Sequence, residues 1–349
     1  MEEDDVDVQS FTVPTITDDP RFLLNYCRKT GILTPEGQCP EKFEFKEVLF
    51  GSIPANRSHF SNIVALTVLP QAGTNQPDSL CSGSLISKRL ILTARHCLEW
   101  RNAKNNLGQN VLIKWRIDEV VFGLNEDSVE DPNQVRISVQ DCFDFGKTTP
   151  MSCSQSYSAG NDRDIVVVRL ASDAPTFPVR LAPSEWVNKA TELTAVGFGF
   201  TEADASGKRE LGKKFWVNIP MVSNSCSGTT AATTDVDKYS CKAGIELVAG
   251  RGSHDSNPEA DTCGGDSGGP VFLATVNPLD ASTIPDAAWP YDFFLAGVTS
   301  RAITLKGISP AWPNCGDGGI YVRSDGDVQS WLVKLAKKTK EEVFIGSRH

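Results

Sequence analysis

From about residue 48 the chain runs as short apolar, β-branched stretches, each cut off by turn residues. NIVALTVL (62–69), SLISKRLILTA (84–94), NVLIKWRI (110–117), QVRISV (134–139), DIVVVRL (164–170) and ELTAVGFGF (192–200) come first. KKFWVNIPMV (213–222), GPVFLATV (269–276), FFLAGVTS (293–300) and GIYVR (319–323) follow. Many short strands at such spacing require an all-β barrel or sandwich. One segment departs from the pattern. In DVQSWLVKLAKK (327–338), Val328, Trp331, Leu332 and Leu335 recur at spacings of three, four and seven, which predicts a helix with one apolar face. No internal repeat has a fixed period.

The 349 residues suffice for two ordinary domains or one large all-β unit with extensions. A net charge of −10 argues against nucleic acid or an anionic membrane as partner, because both call for clustered positive charge. No apolar run approaches the roughly 20 residues of a membrane span. The ten cysteines contain no CxxC pair, so zinc ribbons and thioredoxin-type redox motifs find no support. Five disulfides in an oxidising compartment suit them better. The start, MEEDDVDVQS, has neither a basic nor an apolar region and is not a signal peptide. The cysteines favour an exported chain whose signal has been removed. Residues 1–20, acidic and interrupted by Pro14 and Pro20, are expected to be a loosely attached leader. Beyond residue 20, Cys27 and Cys39 enclose a short loop, and a local disulfide is their simplest pairing.

Three segments carry chemistry. In CSGSLISKRLILTARHC (81–97), His96 stands where a strand-like run meets a loop. A lone histidine there is ordinarily a half-buried structural residue. In RDIVVVRL (163–170), Asp164 opens a buried strand, as a cap or as an acceptor for an imidazole N–H; Asp162 is its rival. In DTCGGDSGGP (261–270), glycines flank Ser267 and leave backbone N–H groups facing one small concavity, suited to an oxyanion. Serine is a weak nucleophile that needs a base, and the base needs an orienting partner. His96, Asp164 and Ser267 supply the three groups in that order.

TARHC, DIVVVRL and GDSGGP, in this order and each beside a cysteine or in β context, resemble the trypsin/chymotrypsin family of serine endopeptidases over roughly residues 48–340. The TARHC variant is similar to that of bacterial secreted members. The resemblance implies two six-stranded antiparallel β-barrels packed together, with a C-terminal helix at about 325–340. The expected division is an acidic leader or propeptide (1–47), a barrel with His96 and Asp164 (48–180) and a barrel with Ser267 (181–349). By the same resemblance Ser267 is nucleophile, His96 general base, Asp164 its orienting partner and Ser300 the serine behind that aspartate. The amides of Gly265 and Ser267 form the oxyanion hole. Asp261, six residues before the nucleophile, takes the pocket floor and implies cleavage after Arg or Lys, with Gly319 and Tyr321 keeping the pocket open. VGFGF (196–200) is similar to the family's Gly-Trp-Gly turn, with Phe198 for tryptophan.

The implied disulfides are Cys81–Cys97, Cys226–Cys241 and Cys263–Cys315, which leaves Cys142–Cys153 and Cys27–Cys39. A zymogen is implied as well: a new amine at Val48, in KEVLFGSIP, buries against Asp266, although Glu47 precedes the cut where a basic residue is usual. The sequence departs from the family at Ser300-Arg301-Ala302, where Ser-Trp-Gly is common, so an aromatic wall is lost at the pocket mouth. The acidic stretch from Asp118 to Asp131 lies where some relatives bind calcium; a solvated loop is expected and no metal or other cofactor. Asn56-Arg57-Ser58 is a glycosylation sequon. Partners would be polypeptide substrates, an activating protease and protein inhibitors, in a secreted, extracellular or periplasmic setting, with no nucleic acid and no membrane. The alternatives are a non-catalytic binding protein of the same fold, a protease of non-tryptic specificity, and an unrelated β-sandwich adhesion domain.

Overall fold

The computed structural model describes residues 53–55, 60–70, 79–99, 101–104, 110–113, 115–127, 129–154, 163–201, 211–230, 233–250, 261–274, 293–303 and 317–346. The leader, Val48, Cys27, Cys39, Asn56, Asp162 and Cys315 lie outside them. One compact unit, Glu47–Thr275 with Pro285–His349, holds all the described elements.

Six strands make the first barrel: β1 (Ile63–Pro70), β2 (Ser79–Leu85), β3 (Leu90–Thr93), β4 (Trp115–Phe122), β5 (Val135–Asp144) and β6 (Val166–Leu170). They close in the order β1-β2-β3-β6-β5-β4. The second barrel comprises β7 (Glu192–Gly197), β8 (Phe215–Ser223), β9 (Glu246–Ala249), β10 (Pro270–Ala274), β11 (Phe293–Ala302) and β12 (Gly319–Arg323). Its order is β7-β8-β9-β12-β11-β10, closed by pairing of β10 with β7. The two rings therefore share one strand order, a duplication invisible as sequence periodicity. Two antiparallel six-stranded barrels were the expectation, and the fold has both.

Each barrel is filled by its own apolar faces. Val64, Leu66, Leu85, Ile91, Val166 and Val168 meet inside the first. Leu193, Val217, Ile219, Leu247, Val271 and Tyr321 meet inside the second. Full burial of such a side chain stabilises by about 1.5–3 kcal/mol. NVLIKWRI does not form the single strand its composition suggests. Asn110–Ile113 pairs with Arg101–Lys104 as a separate ribbon, and β4 begins anew at Trp115.

Short strands Ile53–Pro54, Arg180–Leu181 and Phe344–Ile345 add to the second sheet. Three helices are described: α1 (Ser184–Lys189), α2 (Asp235–Tyr239) and α3 (Gly326–Thr339), with a 3-10 turn at Arg95–Leu98. In α3 the predicted stripe Val328, Trp331, Leu332 and Leu335 is buried. Trp331 packs edge-on against Phe145 and donates its indole N–H to the Lys147 carbonyl at 2.8 Å. Asp327, in the first turn of α3, pairs with Arg163, the residue before Asp164. The helix thus braces the segment that enters β6. Disulfides Cys81–Cys97, Cys142–Cys153 and Cys226–Cys241 are formed. Cys263 is also disulfide-bonded, and its expected partner, Cys315, is outside the described residues.

Candidate active site

Strand pairing brings the first two candidate residues together. β3 and β6 are antiparallel, with Thr93 opposite Val166. The exit of β3 therefore lies beside the entrance of β6. His96, three residues past that exit, meets Asp164, two residues before that entrance. His96 Nδ1 lies 2.7 Å from Asp164 Oδ2, and the His96 backbone N–H donates to Asp164 Oδ1 at 2.9 Å. Ser300 Oγ, from β11 of the second barrel, donates to Asp164 Oδ2 at 2.6 Å.

Burial alone would raise the Asp164 carboxyl. The His96 charge and the hydrogen bonds from His96 and Ser300 outweigh it and hold the group at about 2. An ionised carboxylate only accepts hydrogen bonds, so Nδ1 of His96 carries the proton and Nε2 is left as the basic nitrogen.

Ser267 sits half-buried in the turn before β10 and reaches this cluster through the backbone. Its carbonyl accepts the Ser82 N–H at 2.8 Å. The same oxygen lies 3.8 Å from Cys97 Sγ, beside His96 in sequence. That sulfur is spent in a disulfide, so the approach is a packing contact. On the other side, the Gly268 N–H donates to the Thr299 carbonyl, one residue before Ser300. Gly268 has φ +82°, and a Cβ there would lie 2.0 Å from Thr93 Oγ1, so only glycine allows the loop so close to β3. Among the described residues neither the Gly265 nor the Ser267 N–H donates to a backbone carbonyl.

Asp266 is buried between two turns. Its Oδ1 accepts the Gly199 N–H at 2.7 Å and its Oδ2 the Cys263 N–H at 2.8 Å. Burial pushes its carboxyl up to about 6, against the lowering effect of those two amides. Phe198, in the family's tryptophan position, is fully buried.

The sulfurs of Cys81 and Cys97 and a His96 ring nitrogen all lie within 4.8 Å of one another. With both sulfurs bonded to each other, the grouping offers no thiolate to a metal ion.

The trypsin family's sequence profile matches residues 54–332. The chain belongs to the trypsin family. Phenoloxidase-activating factor 1 of Holotrichia diomphalia is 27% identical over 331 residues, covering 90% of this chain and 73% of that protein. Phenoloxidase-activating enzyme of Bombyx mori is 26% identical over 285 residues, covering 75% of this chain and 60% of its own. Brachyurin of Leptuca pugilator is 28% identical over 197 residues, covering 55% of this chain and 70% of its own. The chain thus spans between 60% and 73% of these relatives.

Asp261, expected from the sequence at a pocket floor, is 1% exposed and its Oδ2 accepts the Gly318 N–H at 2.9 Å. A Cβ on Gly319 would lie 2.6 Å from the Tyr321 hydroxyl, which itself lies 3.2 Å from Thr262 Oγ1. No side chain fits at Gly319 while Tyr321 keeps that position.

The departure at Arg301 has a partner that the sequence did not reveal. Its guanidinium forms two 2.8 Å bonds to the fully buried Glu246 carboxylate on β9 and one of 3.0 Å to the Ser240 carbonyl. The cation therefore lies along the sheet and is neutralised there. The acidic stretch also differs from a simply solvated loop. Asp131 is buried and accepts the Leu124 N–H, while Glu126 accepts the Thr67 hydroxyl. Ser82, Glu246 and the Gly318 amide have no motif of their own; only contacts across the fold identify them.

Proposed function

We propose that the chain is a serine endopeptidase that cuts polypeptides after Arg or Lys. The observation that carries this reading is the 2.7 Å contact between His96 Nδ1 and a carboxylate held ionised by its surroundings. Ser267 Oγ attacks the scissile carbonyl carbon, and its proton passes to His96 Nε2. The carbonyl oxygen, now an anion, is received by the N–H groups of Gly265 and Ser267. Collapse expels the amine, which takes the proton from His96. Water then repeats the sequence on the acyl-enzyme and releases Ser267. Asp164 keeps the imidazole oriented and balances its positive form.

Cleavage after Arg or Lys rests on Asp261, a buried carboxylate that a cationic side chain would neutralise. Zymogen activation rests on Asp266, whose buried carboxyl gains a charged partner when a new amine at Val48 arrives. The three disulfides with both cysteines described, and the bonded Cys263, fit a secreted protein, and no helix among the described residues is long and apolar enough to cross a membrane. Relatives named for activating phenoloxidase favour limited cleavage of another protein as the output.

Covalent labelling by a fluorophosphonate, lost in Ser267→Ala, tests the nucleophile. A peptide-library digest tests the pocket: Arg or Lys before the cut is expected, and Leu, Phe or Ala there would overturn the role of Asp261. N-terminal sequencing of the labelled species tests activation. A labelled chain that still carries residues 1–47 would refute the Val48 latch.

A further inference from the structure

We propose that Ser82 is a positioning residue that sets the oxyanion-binding amides from the opposite barrel. The inference rests on the serine-protease reading above. Ser82 lies on β2, fully buried, and makes four hydrogen bonds at the junction of the barrels. Its N–H donates to the Ser267 carbonyl at 2.8 Å. Its hydroxyl donates to the Gly265 carbonyl at 3.0 Å and accepts the Phe198 N–H at 3.0 Å. Its own carbonyl accepts the Thr93 hydroxyl at 2.7 Å.

The two candidate oxyanion donors are the N–H groups of Gly265 and Ser267, and Ser82 binds the carbonyls of these same two residues. The peptide plane that carries the Ser267 N–H is thus bracketed by two planes that one residue holds. Gly265 has φ +101°, a conformation open to glycine but with no side chain to brace it. Without a fixed carbonyl it is a pivot in the middle of the anion site. The bond from Phe198 anchors the same hydroxyl to the turn whose Gly199 binds Asp266. Serine meets this demand because one hydroxyl both donates and accepts. Alanine would fill the space and leave the Gly265 carbonyl and the Phe198 N–H without it.

The test compares activated wild type, Ser82→Ala and Ser82→Thr, with Ser267→Ala as the unlabelled control. Fluorophosphonate labelling counts active sites; kcat and KM are then measured per labelled site across pH. In Ser82→Ala we expect kcat to fall about 10-fold, the loss of a transition-state interaction, with KM within about twofold. The midpoint of the pH profile should not move, because the His96–Asp164 pair is untouched. Ser82→Thr, which keeps the hydroxyl, should recover part of the rate. If Ser82→Ala does not fold, Ser82→Gly removes the same hydroxyl and carries the comparison. Undiminished kcat per labelled site, even with a lowered Tm, overturns the inference and leaves Ser82 a structural contact. An unlabelled wild type overturns the serine-protease reading and this inference with it.

Discussion

The carboxyl carbon of Asp266 lies 2.5 Å from the point that a Cβ on Gly199 would occupy. The Gly199 N–H donates to that same carboxylate, so the turn is pressed against Asp266 as closely as a backbone can come. Gly199→Ala should therefore cost about 1–3 kcal/mol through overpacking. It should also reduce activity more than stability, because Asp266 adjoins Ser267. Urea unfolding and kcat on one preparation would separate the two losses.

Asp266 also predicts a pH dependence for the uncut chain. Its carboxyl is pushed up from 3.8 to about 6 in the fold. The folded state then keeps its proton where the unfolded state has lost it, so stability falls as pH rises between about 4 and about 6. The full span amounts to about 3 kcal/mol at most. Asp266→Asn should lack this component, and urea titrations of both proteins at either end of the window would reveal it. Cleavage before Val48 should cancel the effect in the native protein by supplying an ammonium.

Asp164 behaves in the opposite sense. Held at about 2, its carboxylate contributes stability that is present above 3.8 and lost as pH falls through about 2. Ser300→Ala removes one donor, so the folded carboxyl should rise toward 3.8 and the stability lost on acidification should shrink, with a several-fold fall in kcat. Asp164→Asn should lower kcat by about 10,000-fold, since an amide in that place stabilises the wrong imidazole tautomer. Rate–pH profiles of the two variants would check both statements.

Arg301 and Glu246 should behave as a unit. Arg301→Ala leaves a fully buried carboxylate without its bidentate partner and, because Arg301 itself is 38% exposed, should destabilise by about 1–3 kcal/mol. Replacing both, as Arg301→Met with Glu246→Leu, should recover most of that cost. A double-mutant cycle in thermal unfolding would measure the coupling.

The signals that were readable along the chain are those that depend on near neighbours. β-branched runs marked the strands, a three-four-seven spacing marked α3, and three short motifs marked His96, Asp164 and Ser267. Where a strand must end was harder to read. NVLIKWRI has one composition but two strands, because Asn110–Ile113 found a partner in Arg101–Lys104 while Trp115 onward joined β1 and β5. The acidic stretch misled for the same reason: Asp131 is buried by packing, and composition registers only its charge.

Residue order alone determined the class of this protein. The all-β class, the chemistry of the three motifs and the apolar stripe of α3 all follow from covalent neighbours and their periodicity. The tertiary structure decided which groups meet. Asp164 met His96 because β3 and β6 run antiparallel side by side. Ser82 came to hold Ser267, 185 positions away, because two separately closed barrels were pressed together. Arg301, legible in sequence only as a departure at the pocket mouth, came to pair with the buried Glu246 because that carboxylate stands on β9, two strands across the sheet. Hydrogen bonds and ion pairs depend on distance in space, and spatial distance is set only when the barrels close.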